Sequence, residues 1–182
     1  FYFQKIPGVV EFDFNNVDSI KATIDSVGAD NIYAIFLEPF SCSTVKECSR
    51  EFLETVRDIC NKNNICLVYD EIYSGFGKCG YDFYFHKYGV VPDVICLSKA
   101  LGGGKASISA YVAKADLFAE SYGSVSGALT HSSTYNSFGE ECATVIEACR
   151  ILQDEKISQK SRDIEELFID TLSAWEDDPN CP

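Results

Sequence analysis

Three short apolar runs, each stopping on a polar residue, constrain this chain more than any other feature. Ile32 to Leu37 ends at Glu38-Pro39, Ile65 to Tyr69 ends at Asp70, and Val94 to Leu97 ends at Ser98-Lys99. Runs of four to six residues, partly β-branched and without polar alternation, suit strands buried on both faces, as in a parallel sheet. Ile108 to Val112 reads as a fourth strand. Between these runs the apolar residues recur with helical spacing. Val45, Cys48, Phe52, Val56, Ile59 and Cys60 predict a helix over 45–63, with Ser43 or Thr44 as its cap. Strands separated by helices define an α/β fold with a mostly parallel sheet flanked by helices.

The flanks extend the pattern. Val9 to Phe14 alternates like a short strand, and 15–27 reads as a helix capped near Asn16 or Asp18. Two helices in succession, over 138–154 and 157–175, close the chain. No repeat and no low-complexity linker divides it. With 182 residues, 46% of them hydrophobic, it can bury a sizeable core. It begins Phe-Tyr-Phe-Gln and contains no methionine, so the expectation is a piece of a longer protein.

Composition removes several function classes. A formal charge of −13 opposes binding to a phosphate backbone, which needs clustered Lys and Arg. Glu47, Glu51, Glu54, Asp58, Asp163, Glu165 and Glu166 read as solvated helix faces. The nine cysteines are an odd number, include no C-x-x-C pair, and make up about 5% of the chain, against roughly 8–10% in disulfide scaffolds. Cys60, Cys66, Cys96, Cys142 and Cys149 lie within apolar runs, where a thiol behaves as a small hydrophobe. Two histidines in the whole chain give no support for a zinc site. No apolar run approaches the roughly 18–20 residues of a membrane span, and no signal peptide is visible. The expectation is a reduced, soluble, cytoplasmic protein.

In open α/β sheets, ligands bind beyond the carboxyl ends of the strands. Glu38, Asp70 and Lys99 each stand at such an end. One carboxylate there reads equally well as a helix cap or an ion-pair partner; two carboxylates and a lysine at successive ends favour a site. Other motifs carry less. Gly75, Gly77 and Gly80 match G-x-G-x-x-G, but four residues separate Asp70 from the first glycine and an aromatic stretch follows the third, so a glycine-rich turn is favoured over a dinucleotide fingerprint. Leu101-Gly-Gly-Gly-Lys105 lacks the spacing of a P-loop and the Ser or Thr that follows its lysine. His86 sits among aromatics as a packed ring would. No G-x-S-x-G elbow supports a serine hydrolase.

The long motifs fit together. Leu67-Val-Tyr-Asp70-Glu-Ile-Tyr-Ser-Gly75-Phe-Gly-Lys-Cys-Gly80 resembles the Asp-Glu-Val-x-(Thr/Ser)-Gly-Phe-Gly-Arg-Thr-Gly signature of class III (ornithine/GABA/acetylornithine-type) aminotransferases. Residues 88–104, with Pro92-Asp93 and Ser98-Lys99 before a triple glycine, resemble that family's cofactor-lysine stretch, and His131-Ser-Ser-Thr134-Tyr resembles its His-Gly-Ser-Thr loop. Lys99 lies 29 residues after Asp70, and Thr134 lies 35 after Lys99, in the family's order. The resemblance covers roughly residues 5–175.

That resemblance implies a type I fold dependent on pyridoxal 5′-phosphate (PLP), with residues 1–155 in the cofactor-binding large domain and 156–182 opening a C-terminal small domain. It implies transfer of an amino group from an amine or amino acid to a 2-oxo acid. Lys99 would hold PLP as a Schiff base and then act as the base that moves the 1,3 proton. Asp70 would keep the ring nitrogen protonated. Ile72 matches the residue packed under the ring, and Tyr73 stands where many members have a glutamine near the ring hydroxyl. Ser133 and Thr134 match residues that reach the neighbouring subunit's cofactor phosphate, implying a homodimer with shared sites. Glu38 matches a glutamate that in some members pairs with an active-site arginine to switch substrates; a structural carboxylate is the other reading.

Two segments depart from the family. Phe40-Ser-Cys-Ser-Thr44 replaces a glycine-rich stretch after Glu-Pro, and Asn136-Ser-Phe-Gly-Glu-Glu141 replaces Gly-Gly-Asn-Pro. Both fall near the expected substrate entrance. In the resembled family the phosphate-cradling loop and the ring-stacking aromatic lie before this chain's first residue, and the carboxylate-binding arginine lies after its last. The chain is therefore expected to be the middle of an aminotransferase. An inactive scaffold of the same fold and a nucleotide-binding oxidoreductase are the alternatives.

Overall fold

The computed structural model describes residues 6–176. A four-stranded sheet in the order β1-β4-β5-β6 forms its centre: β1 (Ala34–Leu37), β4 (Cys66–Asp70), β5 (Val94–Leu97) and β6 (Ala110–Ala113). β1, β4 and β5 run parallel, and β6 runs antiparallel to β5. A hairpin of β2 (Phe40–Ser41) and β3 (Lys46–Glu47) follows β1. The helices are α1 (Val17–Val27), α2 (Arg50–Asn63), α3 (Ala115–Tyr122), α4 (Val125–Ala128), α5 (Gly139–Asp154) and α6 (Ile157–Glu176). This is the α/β, mostly parallel architecture that the apolar runs predict.

The helix ends follow from local chemistry. The Asn16 side chain accepts a hydrogen bond from the Ser19 N–H at 3.0 Å and starts α1, and Gly28, at φ 83°, stops it. The Ser49 hydroxyl accepts from the Phe52 N–H at 3.1 Å and starts α2. Asn64 ends α2 in the left-handed region that asparagine tolerates. Phe52, Leu53, Val56 and Cys60 form the buried stripe of α2. They join Ile20 and Ile24 of α1, Ile35 and Leu37 of β1, and Leu67 and Tyr69 of β4 in one core.

Asp93 locks β4 and β5 beside that core. Its carboxylate accepts from the Leu67 N–H at 2.8 Å, pairs with Arg57 of α2 at 2.9 Å, and pairs with Lys114 at 2.6 Å. Burial works against the charged form, but these three donors hold Asp93 below the usual carboxylate range.

Several expectations need correction. Residues 9–14 form no strand; no ladder partner stands beside them, and Phe12 packs on Phe52 instead (ring centroids 6.3 Å apart). The helix expected over 45–63 begins only at Arg50. Its expected first turn is the strand of a hairpin, because Val45 adopts φ 53° and the Cys48 N–H bonds to the Pro39 carbonyl. Glu47 is consequently on no helix face. β1 is not covered on both sides: Ile35 and Leu37 face the core, whereas Phe36 is 67% exposed. The fourth strand starts at Ala110, two residues later than expected, and is largely exposed. α3 and α4 were not anticipated.

Candidate active site

The sheet register brings the three predicted strand-end residues together. Leu37 pairs with Tyr69, and Asp70 pairs with Cys96, so Glu38 and Asp70 lie at the carboxyl ends of adjacent strands and Lys99 lies three residues past the end of their common ladder. Lys99 opens a 3-10 turn (Lys99–Gly102) directly after β5. Its backbone is left-handed, at φ 49°, a conformation that costs a non-glycine residue on the order of 1 kcal/mol. The Ser98 hydroxyl donates to the Ile108 carbonyl at 3.1 Å, and Gly103 and Gly104 at φ 59° and 75° let the chain turn back. A Cβ on Gly103 would sit 3.4 Å from that of Ala148, so α5 backs the lysine turn closely.

The side chains at this edge have spare bonding capacity. Asp70 Oδ1 accepts from the Ile72 N–H at 2.9 Å, and Oδ2 has no partner among the described residues. Lys99 is exposed, forms no ion pair there, and places Nζ 5.4 Å from the centroid of the Tyr73 ring. Lys78 Nζ lies 4.1 Å from the same centroid. Ile72 is half-buried beside Asp70. An anionic acceptor, a free amine and an aromatic face thus share one strand edge. They suit a flat heteroaromatic ring that carries a protonated nitrogen and an aldehyde, which is the chemistry of PLP.

Glu38 is engaged differently. One carboxylate oxygen accepts from the Cys42 N–H at 2.9 Å, past β2 at the start of the hairpin turn. That contact carries its structural reading. Ser133 and Thr134 are exposed in the segment before α5: the Ser133 hydroxyl accepts from the Tyr135 N–H at 3.1 Å, and the ring of nearby His131 packs against Tyr111 of β6 and against Tyr122.

The glycines at 75, 77 and 80 form a tight turn, closed by the Phe76 N–H to the Asp82 carbonyl and the Gly77 N–H to the Tyr81 carbonyl. A 3-10 turn (Tyr84–Lys87) follows rather than a helix. The anion site of a dinucleotide fingerprint needs that helix N-terminus, so the oxidoreductase alternative loses its support. The start of α6 docks here instead, through Ser158 on the Asp82 carboxylate and Arg162 on the Gly80 carbonyl.

Sequence reasoning passed over Glu71. It is buried, and its carboxylate accepts from the Tyr84 N–H at 2.6 Å, the Phe85 N–H at 3.0 Å and the Ser74 hydroxyl at 3.3 Å. Burial raises its pKa even against these donors. Glu71 fixes the segment that follows Asp70. Its position beside Asp70 was the available signal, but partners 13 and 14 residues downstream leave no periodic trace. A groove of about 540 Å³ between α1, residues 8–14 and β1 includes Glu38 and Ser41 but neither Asp70 nor Lys99, so strand topology locates the candidate site and the groove does not.

Comparison with known proteins agrees with this geometry. The family model for aminotransferase class-III matches residues 7–181. The chain is 36% identical to acetylornithine aminotransferase of Clostridium acetobutylicum, over 85% of this chain and 38% of that protein. It is 34% identical to ornithine aminotransferase of Staphylococcus carnosus, over 94% and 41%. Among solved structures, ornithine aminotransferase of Toxoplasma gondii aligns with a TM-score of 0.84 and 26% identity over 96% of this chain and 39% of that one; it was described with partial occupancy of PLP at its active site. Acetylornithine aminotransferase of Elizabethkingia anophelis aligns with a TM-score of 0.82 and 27% identity, over 93% and 41%. The fold is that of the PLP-dependent aminotransferases. The chain belongs to the class III aminotransferase family. It spans about two fifths of the length of the relatives it matches.

Proposed function

We propose that the whole protein is a PLP-dependent aminotransferase that moves an amino group from an amine or amino acid to a 2-oxo acid. The observation that carries this reading is Lys99: an exposed amine without an ion pair among the described residues, held in a left-handed turn, one strand away from Asp70, whose Oδ2 has no partner among those residues. PLP, when bound, supplies an electron sink that makes a proton on the substrate's α-carbon removable. Lys99 holds the cofactor through its amine. Once released by the substrate amine, the Lys99 Nζ would take the proton from the substrate Cα and deliver it to the cofactor carbon that had carried the aldehyde. Asp70 keeps a proton on the ring nitrogen, Ile72 packs against the ring, and the Tyr73 hydroxyl serves the ring hydroxyl. Ser133 and Thr134 serve the phosphate of a second subunit, which makes the protein a homodimer with shared sites. Their exposure suits that role.

Glu38 belongs to the substrate side of the site, with its hairpin contact as a positioning role. The boundary between large and small domains belongs near residue 156, a reading supported by the end of α5 at Asp154 and the turn at Lys156 (φ 52°); residues 1–5 of the first segment and 177–182 of the second lie outside the described residues. A reducing, cytoplasmic location suits the eight free thiols among the described residues. No helix among those residues is long and apolar enough to cross a membrane.

Borohydride reduction of the full-length protein with PLP, followed by peptide mapping, tests the reading. A phosphopyridoxyl group on Lys99 is expected. An adduct confined to another lysine overturns the role of Lys99, and none overturns the reading in favour of an inactive scaffold.

A further inference from the structure

The hairpin that departs from the family pattern reaches the candidate site through Phe40. Its ring stacks on Tyr73, with centroids 6.2 Å apart and planes at 11°, and it meets Tyr84 at 5.8 Å. Tyr73 in turn carries Lys99 and Lys78 over its ring. A continuous aromatic row of Tyr84, Phe40 and Tyr73 therefore leads to the amine of Lys99. Phe40 and Tyr73 are only half-buried, so part of this row stays open to an arriving molecule.

The row is held in place from below. Glu47, on the second strand of the hairpin, accepts from the hydroxyls of Tyr84 and Tyr88 and from the Lys87 ammonium. Burial opposes its charge, but the Lys87 and Tyr84 contacts keep Glu47 below the usual carboxylate range. The turn is fixed by Cys42 on Glu38, and β3 is joined to β2 through Ser41 and Lys46. Phe40 thus sits on a braced hairpin, with its ring packed between Tyr73 and Tyr84. A glycine-rich stretch in its place would leave the space above Tyr73 empty.

We propose that Phe40 is a specificity-determining residue whose ring, with Tyr73, selects amino donors carrying an aromatic side chain over donors carrying a second ammonium group. This inference rests on the aminotransferase reading. A planar group gains an offset-stacked or edge contact from the Phe40–Tyr73 face. A distal ammonium meets the like charge of Lys78 at the same ring.

The test uses the full-length holoenzyme and three donors in the amino-donating half-reaction: 2-phenylethylamine, ethylamine and 1,4-diaminobutane. The same protein without PLP is titrated calorimetrically with 2-phenylethanol, which cannot react. The wild type is expected to prefer 2-phenylethylamine to 1,4-diaminobutane. Phe40→Ala is expected to lower the phenylethylamine-to-ethylamine ratio of kcat/KM about tenfold and to weaken 2-phenylethanol binding by a similar factor. Phe40→Leu keeps the side-chain volume near its original value and is expected to fall between them, so it decides the matter if the alanine variant fails to fold. Ratios within twofold of wild type in the folded variants overturn the role of Phe40 and leave the aminotransferase reading intact. Phe40-dependent binding of 2-phenylethanol with no turnover of any amine overturns the aminotransferase reading and supports the aromatic wall. A wild-type preference for 1,4-diaminobutane overturns the selectivity.

Discussion

The two halves of this molecule are built to different standards. From α1 to β5, the helices bury continuous apolar stripes against the sheet, and Phe52, Val56, Leu67 and Tyr69 are shielded from water. From β6 onward, large apolar side chains stand in solvent: Val112 on the last strand, Leu129 and Tyr135 in the loop, and Leu167, Phe168, Leu172 and Trp175 along α6. Phe168 is 61% exposed and Phe52 is 1% exposed, although both lie on amphipathic helices. Both halves obey the helix pattern; only the first has the surface that completes it. The candidate site residues divide between them. Asp70 and Lys99 belong to the packed half, whereas Ser133 and Thr134 belong to the open one. The residues that need a fixed backbone are the ones that the core holds.

The largest expected effect bears on the strand ends. Lys99→Ala in the full-length protein should lower kcat on the order of 10³-fold in steady-state assays, as expected for loss of a positioned base. An unchanged kcat would remove the packed half's claim to the chemistry.

The next effect compares the two helix faces directly. Phe52→Ala should cost about 3–5 kcal/mol in denaturant unfolding of this chain, and Phe168→Ala less than about 0.5 kcal/mol. Repeating Phe168→Ala in the full-length protein sharpens the contrast, because a larger loss there locates a surface that covers α6.

Asp93→Asn should cost about 2–3 kcal/mol, since Arg57 and Lys114 lose their counter-charge at a largely buried position. The Asp93 pKa is depressed in the folded state, so its stabilisation is present above its ordinary value of 3.8 and is lost as pH falls through the lower folded value. Acid unfolding followed by circular dichroism should show this loss in the wild type and a flatter curve in Asp93→Asn.

Glu71→Gln should cost about 1–3 kcal/mol near neutral pH, because an amide group would face at least one N–H donor where a carboxylate oxygen now accepts. Its pH dependence runs the other way. A pKa raised by burial makes the fold bind more protons than the unfolded chain, so this contribution weakens as pH rises from about 4.5 through the raised value. A smaller loss is expected at the helix cap: Asn16→Ala should cost about 1 kcal/mol by thermal melting, still above that expected for Phe168→Ala.

How far the site could be read in advance varied with the kind of contact. The strand-end positions of Asp70 and Lys99 were legible because each stands at or just past the end of an apolar run, and ligands in such sheets bind beyond those ends. Glu71 was not, because its hydrogen bonds go to backbone groups that only the turn at 75–82 brings near. The start of α2 was misjudged because Val45 and Cys48 fit the helical period, and the Ser49 cap outweighed that period locally. The short strand expected at 9–14 had alternation and lacked a partner, and a strand without a ladder leaves its backbone groups unpaired.

The one-dimensional pattern determined the class of fold, the four strands of the central sheet with α1, α2, α5 and α6, and the polar residues that follow the strands, because burial and helix capping act over a few residues. Tertiary structure decided which of those residues meet. Register set Asp70 beside the strand that leads to Lys99, the hairpin turned Glu38 toward Cys42, and Phe40 came to rest on Tyr73, 33 positions further along the chain. Contacts at such separations depend on how whole elements pack. The spacing of residues along the chain carries no record of them.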